Sequence, residues 1–215
     1  LDHTPGGSSS GSAACVADFH APLAFGSQTV GSLIRPASFT GIYAFKPSWG
    51  VVSREGMKAN APSMDTVGWY GRGIEDLALV ATAFRLFETE APVPASVAGL
   101  RVGLCRGPTW ASIEPAGEAT LLAVANRLAD AGAIVEPLDL PAPFEALVQA
   151  YQDIYYSEGG RSFLPELLGM PDLLAPALAE QARNARGLCA QRLREAYGIA
   201  DRCRGIVVVT GRPGP

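Results

Sequence analysis

The stretch TPGGSSSGSAA, residues 4–14, places four serines and three glycines directly ahead of small apolar residues. Glycine-serine runs are usually flexible linkers. This run leads into Ala13 to Ala17, and serines before small helix-forming residues predict the start of a helix over 10–18. Because the first turn of a helix has free backbone N–H groups, the run is a candidate wall of a binding site as well as a candidate linker.

A second glycine-serine pair, Gly31-Ser32, follows a strand predicted over 22–29. A tight turn after a strand exposes a hydroxyl and directs successive backbone N–H groups toward one point. Those are the features of a nucleophile and an oxyanion hole. Since a Gly-x-Ser turn is more often only a turn, neither segment is specific by itself.

Together the two segments resemble the amidase signature family of serine hydrolases. The matching residues are TPGGSSSGSAA, then GSQTVGSLIRPASFTGIYAFKPSWGVVSREG at 26–56, then SMDTVG at 63–68. Ser8 and Ser32 are 24 positions apart, which is the family's spacing between its two catalytic serines. The motif match covers residues 4–80, and beyond it only the order of elements is similar, including GLRVGL at 99–104.

The resemblance implies a role for each matched position. Ser32 corresponds to the acylated nucleophile, and Ser8 to the bridging serine that follows a cis peptide bond. The backbone N–H groups of Thr29, Val30, Gly31 and Ser32 correspond to the oxyanion hole. The implied reaction converts a carboxamide to a carboxylic acid plus ammonia or an amine, with a neutral lysine as general base and with no cofactor or metal.

The position of that lysine is a departure from the family. The family's lysine lies several tens of residues before the glycine-serine run, whereas seven residues precede Ser8 here. The two lysines of the chain, Lys46 and Lys58, both follow the run, and Lys46 matches a structural Lys-Pro element. The sequence therefore predicts a fragment that lacks its general base and has little activity alone.

Other departures concern the substrate. Gln28 stands where the family commonly has Asp, and Val30 where it has Gly. Arg35 comes three positions after Ser32 instead of two, as in malonamidase-like members. Gln28 and Arg35 are predicted to bind substrate, with two alternatives open for Arg35: pairing with a substrate carboxylate, or bracing the turn through carbonyls or an acidic neighbour. The resemblance implies a mainly structural role for Asp65 in SMDTVG.

Composition narrows the classes of function. The chain has 48% hydrophobic and 18% charged residues, typical of a globular protein with a core. A net charge of −4 without a basic stripe argues against nucleic-acid binding, and no apolar run approaches the roughly 20 residues of a membrane span. Four scattered cysteines and two histidines argue against a zinc site or a disulfide framework, which favours a cytoplasmic protein.

Three functions stay open on this evidence. The first is hydrolysis of a small-molecule amide. The second is that of the A-type component of a tRNA-dependent amidotransferase, and the third is a non-catalytic pseudoenzyme or anion-binding module. A homodimer is possible in each case.

The predicted fold class is α/β, with a mixed sheet core of the amidase-signature type flanked by helices and incomplete at both ends. The chain is predicted to be part of one domain, divided into a signature core (1–90), a βα crossover (91–140), a variable, mostly helical region (141–205), and a strand with a truncated end (206–215). Pro92 and Pro94 are predicted to mark a connection.

Hydrophobic patterns predict further elements inside these segments. Strands are expected at 42–45, 51–53 and 206–209, and a helix over 74–87 that is apolar on both faces and therefore buried between layers. A strand near 100–104, a helix over 118–131 and a strand at 133–136 predict a crossover with parallel strands. Tyr151, Tyr155 and Tyr156 share a predicted helix, where they either pack or line a substrate channel.

Overall fold

The computed structural model describes residues 3–87 and 96–210, without the side chains of 208–210. Over these residues the chain forms, in order, α1 (Ser10–Ala17), β1 (Ala24–Gln28), α2 (Ile34–Thr40), β2 (Tyr43–Phe45), β3 (Thr66–Gly71), α3 (Ile74–Ala83), β4 (Arg101–Cys105), α4 (Pro115–Asp130), β5 (Ile134–Leu138), α5 (Leu147–Ser162), α6 (Leu164–Gly169), α7 (Pro176–Ala182) and α8 (Ala190–Thr210). Strands and helices therefore mix along the chain, which confirms the α/β class.

Two compact units make up the chain. The first consists of Leu1–Pro92 and Glu158–Arg183, and the second of Val93–Ser157 and Asn184–Pro215. The predicted segments 91–140 and 141–205 do not coincide with these units. Every residue matched to the amidase signature motif lies in the first unit.

The sheet of the first unit has the strand order β1-β3-β2, with both pairs antiparallel. The central strand β3 was not predicted, because Gly68 and Gly71 interrupt its pattern of strand-forming residues. Gly68 is required by packing, since a Cβ atom there would clash with the carbonyl oxygen of Phe45 and with the side chain of Leu33. Glycine at this position allows the strand and the residues above it to approach closely.

Helix α1 confirms the helix predicted over 10–18, whereas α2 was not predicted because it contains Pro36. Proline is tolerated there because the N–H groups of a helix's first turn have no intrahelical acceptor. Gly41, with φ 71°, takes the left-handed conformation that ends the helix. The two helices pack on β3 around a buried cluster that consists of Ala13, Val16, Leu33, Ala37 and Tyr70.

Helix α3 and Trp69 form a second cluster. Trp69 is fully buried, and its indole N–H donates to the carbonyl of Leu77 at 3.1 Å. The predicted burial of this helix on both faces is wrong, since Leu79 and Ile74 are 66% and 55% exposed. The three-stranded sheet packs against one face of the helix, and no described element of the first unit covers the other.

The strand predicted at 51–53 is also wrong. These residues form a turn in which the Val51 N–H donates to the Ser48 carbonyl at 3.4 Å. Only Val52 is buried, where it joins the Trp69 cluster. One inward-pointing side chain in a turn gives the same short apolar pattern as a strand.

The second unit contains the predicted crossover. Strands β4 and β5 pair in parallel, from Arg101 opposite Ile134 to Cys105 opposite Leu138, and α4 connects them. Tyr155 and Tyr156 are in edge-to-face contact at 5.2 Å, and the Arg186 guanidinium lies 3.4 Å from the centre of the Tyr156 ring. These contacts favour packing for the two tyrosines.

The strand predicted at 206–209 is wrong, because these residues continue helix α8. The β-branched run Ile206 to Val209 favours a strand locally. A helix already formed over the preceding residues gains one hydrogen bond for each residue that it adds, which outweighs that preference.

Two expectations lie outside the described residues: the connection at Pro92 and Pro94, and the chain end at 211–215. Within residues 3–87 and 96–210, no helix combines the length and apolarity needed to cross a membrane. The same residues contain no group of three or more His, Cys, Asp or Glu side chains arranged to hold a metal ion.

We expect Gly68→Ala to lower the free energy of unfolding by about 1–3 kcal/mol, because an added methyl group must displace backbone in a packed sheet. Gly205→Ala is the matched control, since a Cβ at this exposed position of α8 would meet no atom within 4 Å. It should raise the free energy of unfolding by about 0.5–1 kcal/mol. Urea titrations followed by circular dichroism measure both, and equal midpoints for Gly68→Ala and the wild type would contradict the packing described.

Candidate active site

The glycine-serine run is an ordered wall beside strand β1. The Ser9 hydroxyl donates to the Ser27 carbonyl at 3.0 Å and accepts from the Ser27 N–H at 3.1 Å. Ser9 thus takes the place of a neighbouring strand at this point of the sheet edge. A Cβ on Gly26 would lie 2.9 Å from the Ser9 side chain, so this close approach depends on glycine.

The run also contacts the segment that contains Ser32. The Ser9 N–H donates to the Ser32 carbonyl at 3.2 Å, and the Tyr70 hydroxyl donates to the same oxygen at 3.3 Å. Burial raises the pKa of Tyr70 above its ordinary value, while a hydrogen bond with Ser9 acts in the opposite direction. Tyr70 therefore stays protonated and able to donate at neutral pH.

Ser8 and Ser32 lie in these two contacting segments. Ser8 is exposed, and the Gly7–Ser8 peptide bond is cis, as the resemblance implies. Ser32 is partly buried at the turn between β1 and α2. No hydrogen bond between the two hydroxyls occurs among the described residues, so a proton relay from Ser32 to Ser8 stays a prediction.

Gln28 organises the turn from inside the fold. Its side chain is only 8% exposed, and its amide oxygen accepts from the N–H groups of Leu33 and Ile34 at 2.9 and 3.1 Å. Its amide nitrogen donates to the Val30 carbonyl at 2.8 Å. Gln28 thus caps α2 and holds the turn, and contact between Gln28 and substrate stays a prediction.

These bonds set the direction of the N–H groups in the turn. In a planar trans peptide the carbonyl and the next N–H point in opposite directions. Because the Val30 carbonyl points to Gln28, the Gly31 N–H points away from it. The Gly31 carbonyl accepts from the Arg35 N–H at 2.9 Å, so the Ser32 N–H points away from the body of α2.

The N–H groups of Thr29, Val30, Gly31 and Ser32 share one further property. None of the four donates a hydrogen bond to another group in the described part of the chain. Successive N–H groups without acceptors beside a hydroxyl suit the binding of a developing oxyanion. This is the chemistry that the arrangement can supply.

Asp65 is connected to the same turn. The Thr29 hydroxyl donates to Asp65 Oδ1 at 2.6 Å, and Oδ2 accepts from the N–H groups of Asn60 and Ala61 at 2.7 and 3.0 Å. With its side chain 3% exposed, Asp65 has the structural surroundings that the resemblance implies. No pattern in the sequence indicated that its partner would be Thr29.

Arg35 is on the first turn of α2 and is exposed. Its guanidinium lies 5.3 Å from the centre of the Phe39 ring. Within residues 3–87 and 96–210 the guanidinium forms no ion pair and donates to no carbonyl, so the interpretation of Arg35 as a brace has no contact to support it. An exposed guanidinium near Ser32 is available to a ligand.

An open groove of about 570 Å³ runs beside Ser8. Its walls are the start of α1, the free edge of β1 and the loop at 55–57, and Glu55 is the ionisable residue among those that line it. The lining residues are Ser8, Ser9, Gly11, Ser12, Phe25, Gly26, Ser27, Glu55, Gly56, Met57 and Val67.

The two lysines have other partners. Lys46 donates to the Pro47 carbonyl at 2.7 Å. Lys58 donates to Glu166 at 2.6 Å and to the Ser162 carbonyl at 2.7 Å, and this cation lowers the pKa of Glu166. Neither lysine bonds to Ser8 or Ser32 among the described residues, in agreement with the structural role predicted for Lys46.

Comparison with known proteins gives consistent results. A curated relative, the A-type component of the glutamyl-tRNA(Gln) amidotransferase of Symbiobacterium thermophilum, is 42% identical over 164 residues, which are 70% of this chain and 34% of the relative. Among solved structures, an amidase superposes with a TM-score of 0.81 at 25% identity, covering 95% of this chain and 46% of that one. Peptide amidase from Stenotrophomonas maltophilia gives 0.71 at 28% identity, covering 93% and 48%.

The chain spans about a third of the length of the curated relatives that it matches and about half of the solved chains. The family model for amidases matches residues 1–195, which is most of the sequence. The chain therefore belongs to the amidase family.

Proposed function

We propose that the protein hydrolyses a carboxamide through an acyl-enzyme on Ser32. The observation that supports this most is the turn at 29–32, where four N–H groups without acceptors in the described residues adjoin the Ser32 hydroxyl. The segment that carries Ser8 is hydrogen-bonded to the carbonyl of Ser32 itself. A nucleophile, a neighbouring hydroxyl and an oxyanion site thus belong to one continuous piece of structure.

The reaction proceeds in two stages. Ser32 Oγ forms a bond to the amide carbon, its proton passes to Ser8, and the N–H groups of the turn stabilise the negative oxygen. The carbon–nitrogen bond then breaks, and ammonia or an amine leaves with a proton delivered through Ser8. Water attacks the resulting ester, which releases a carboxylic acid and restores the Ser32 hydroxyl. The general base implied by the resemblance is a lysine, and it is assigned to neither Lys46 nor Lys58.

Arg35 supplies the proposed substrate preference. A guanidinium binds a carboxylate through two parallel hydrogen bonds, and Arg35 lies one helical turn from Ser32. We therefore propose an amide that also carries a carboxylate. Gln28 contributes by holding the turn, and direct contact with the substrate is part of the same proposal.

We expect a fluorophosphonate probe to label the full-length protein on Ser32, because the phosphonyl oxygen occupies the oxyanion site as Ser32 Oγ attacks phosphorus. Ser32→Ala should abolish labelling. Ser38→Ala, a substitution at an exposed serine of α2, is the matched control and should label like the wild type. Gel fluorescence and peptide mapping measure the outcome, and equal labelling of Ser32→Ala and wild type would remove Ser32 from this role.

We expect Arg35→Ala to lower kcat/KM for carboxylate-bearing amides by about 10- to 100-fold, the value of a hydrogen bond between charged groups. For neutral amides of similar size the loss should stay below about threefold, because only the charged contact is removed. Arg101→Ala removes a surface ion pair with Glu136 in the second unit and should leave both activities unchanged. Similar losses on acidic and neutral amides would contradict carboxylate recognition by Arg35.

A second candidate function is that of an amidotransferase component, which 42% identity to the A-type component of a glutamyl-tRNA(Gln) amidotransferase favours. The same acyl-enzyme chemistry would then release ammonia from glutamine for use at another site. Steady-state assays of ammonia release separate the two candidates. A hydrolase releases ammonia when assayed alone, whereas an amidotransferase component requires its partner proteins and an aminoacylated tRNA.

The net charge of −4 and the position of Arg35 favour the hydrolase. A small-molecule amide as the partner, a homodimer and a cytoplasmic location belong to the same proposal. A non-catalytic module would show neither probe labelling nor ammonia release.

A further inference from the structure

The peptide between Thr29 and Val30 is the least restrained part of the turn. Neither the Thr29 carbonyl nor the Val30 N–H forms a hydrogen bond within the described residues. The Val30 side chain is 54% exposed, so packing does not hold it either. By contrast, Gln28 fixes the next peptide by binding the Val30 carbonyl.

One contact restrains this peptide from its other end. The hydroxyl of Thr29 donates to Asp65 Oδ1 at 2.6 Å, directly beyond the last backbone pair of the sheet, Gln28 opposite Thr66. The bond fixes the side-chain torsion of Thr29 and extends the pairing of β1 and β3 by one residue. It therefore restricts the rotation of the peptide that carries the Val30 N–H.

Asp65 is itself held rigidly. Its second carboxylate oxygen accepts from the Asn60 and Ala61 N–H groups, and its own N–H donates to the Ala61 carbonyl at 2.8 Å. Because a carboxylate only accepts hydrogen bonds, it imposes one direction on the Thr29 hydroxyl.

The loop that carries Asp65 is attached to the helical part of the same unit. The Ser63 N–H donates to the buried carboxylate of Glu158 at 2.8 Å, and Lys58 pairs with Glu166 at 2.6 Å. The position of Thr29 is therefore determined by the core of the unit and not by the exposed turn.

We propose that Asp65 is a positioning residue for the oxyanion site, acting through the Thr29 hydroxyl to hold the Val30 N–H in its direction. The inference rests on the proposed function, since it assigns a role in stabilising the negative oxygen formed at Ser32. Oxyanion donors must be preorganised, and small displacements of catalytic groups reduce rates steeply.

The test uses Thr29→Val, which preserves shape and removes the hydroxyl, and Thr29→Ser, which retains the hydroxyl. With the fluorophosphonate probe on the full-length protein, Thr29→Val should lower the maximal rate of inactivation about tenfold or more, with the probe's dissociation constant within about twofold of wild type. Thr29→Ser should restore the rate to within about threefold. Thr40→Val, which removes a hydroxyl bonded to the Pro36 carbonyl in α2, is the matched control and should behave like the wild type.

Asp65→Ala completes the design. If Asp65 acts through Thr29, the double variant with Thr29→Val should inactivate no more slowly than Asp65→Ala alone. Because Asp65 also holds Asn60 and Ala61, this variant is less stable, and the Thr29 pair decides the question if it does not fold.

The outcomes separate the two proposals. A wild type that labels on Ser32, together with a Thr29→Val variant that labels at the same rate, overturns the positioning role alone. Equal slowing in Thr29→Val and Thr29→Ser overturns it as well, because the hydroxyl would not matter. A wild type that does not label overturns both proposals.

Discussion

The hydrogen bonds of Ser9 are the interaction on which the site depends. Strand β1 is at the edge of its sheet, and an edge strand leaves backbone groups without partners. The Ser9 hydroxyl satisfies both such groups of Ser27, and the Ser9 N–H reaches the Ser32 carbonyl. One residue therefore fixes the glycine-serine run to the strand before the turn and to the turn itself.

A second constraint is that the turn is built from the inside. Gln28 and Thr29 are consecutive, but their side chains act in opposite directions: Gln28 binds the start of α2, and Thr29 binds Asp65 on the β3 side. The backbone between them is left without internal hydrogen-bond partners in the described residues. A rigid support below and unpaired N–H groups above are what an anion site needs, since its donors then need no rearrangement when charge develops.

The sequence predicted the site better than the fold around it. Glycine and serine at fixed spacing reveal the function because close backbone approach and exposed hydroxyls tolerate few alternatives, as Gly26 against Ser9 illustrates. Strand β3 was missed for the same reason: Gly68 serves a close approach and thereby hides a strand pattern. Helix α2 was missed because Pro36 occupies the first turn, where the usual rule against proline does not apply.

Long-range partners account for what pattern reasoning could not supply. Nothing near Asp65 in the sequence indicates that its carboxylate meets Thr29, 36 positions away, because this pairing follows from the register of β1 on β3. Register in turn depends on Gly68 fitting against Phe45 and Leu33. The link between a packing glycine in the central strand and the direction of an N–H group in the turn is therefore continuous. A substitution in the core of this unit acts on the oxyanion site through the same contacts that set its geometry.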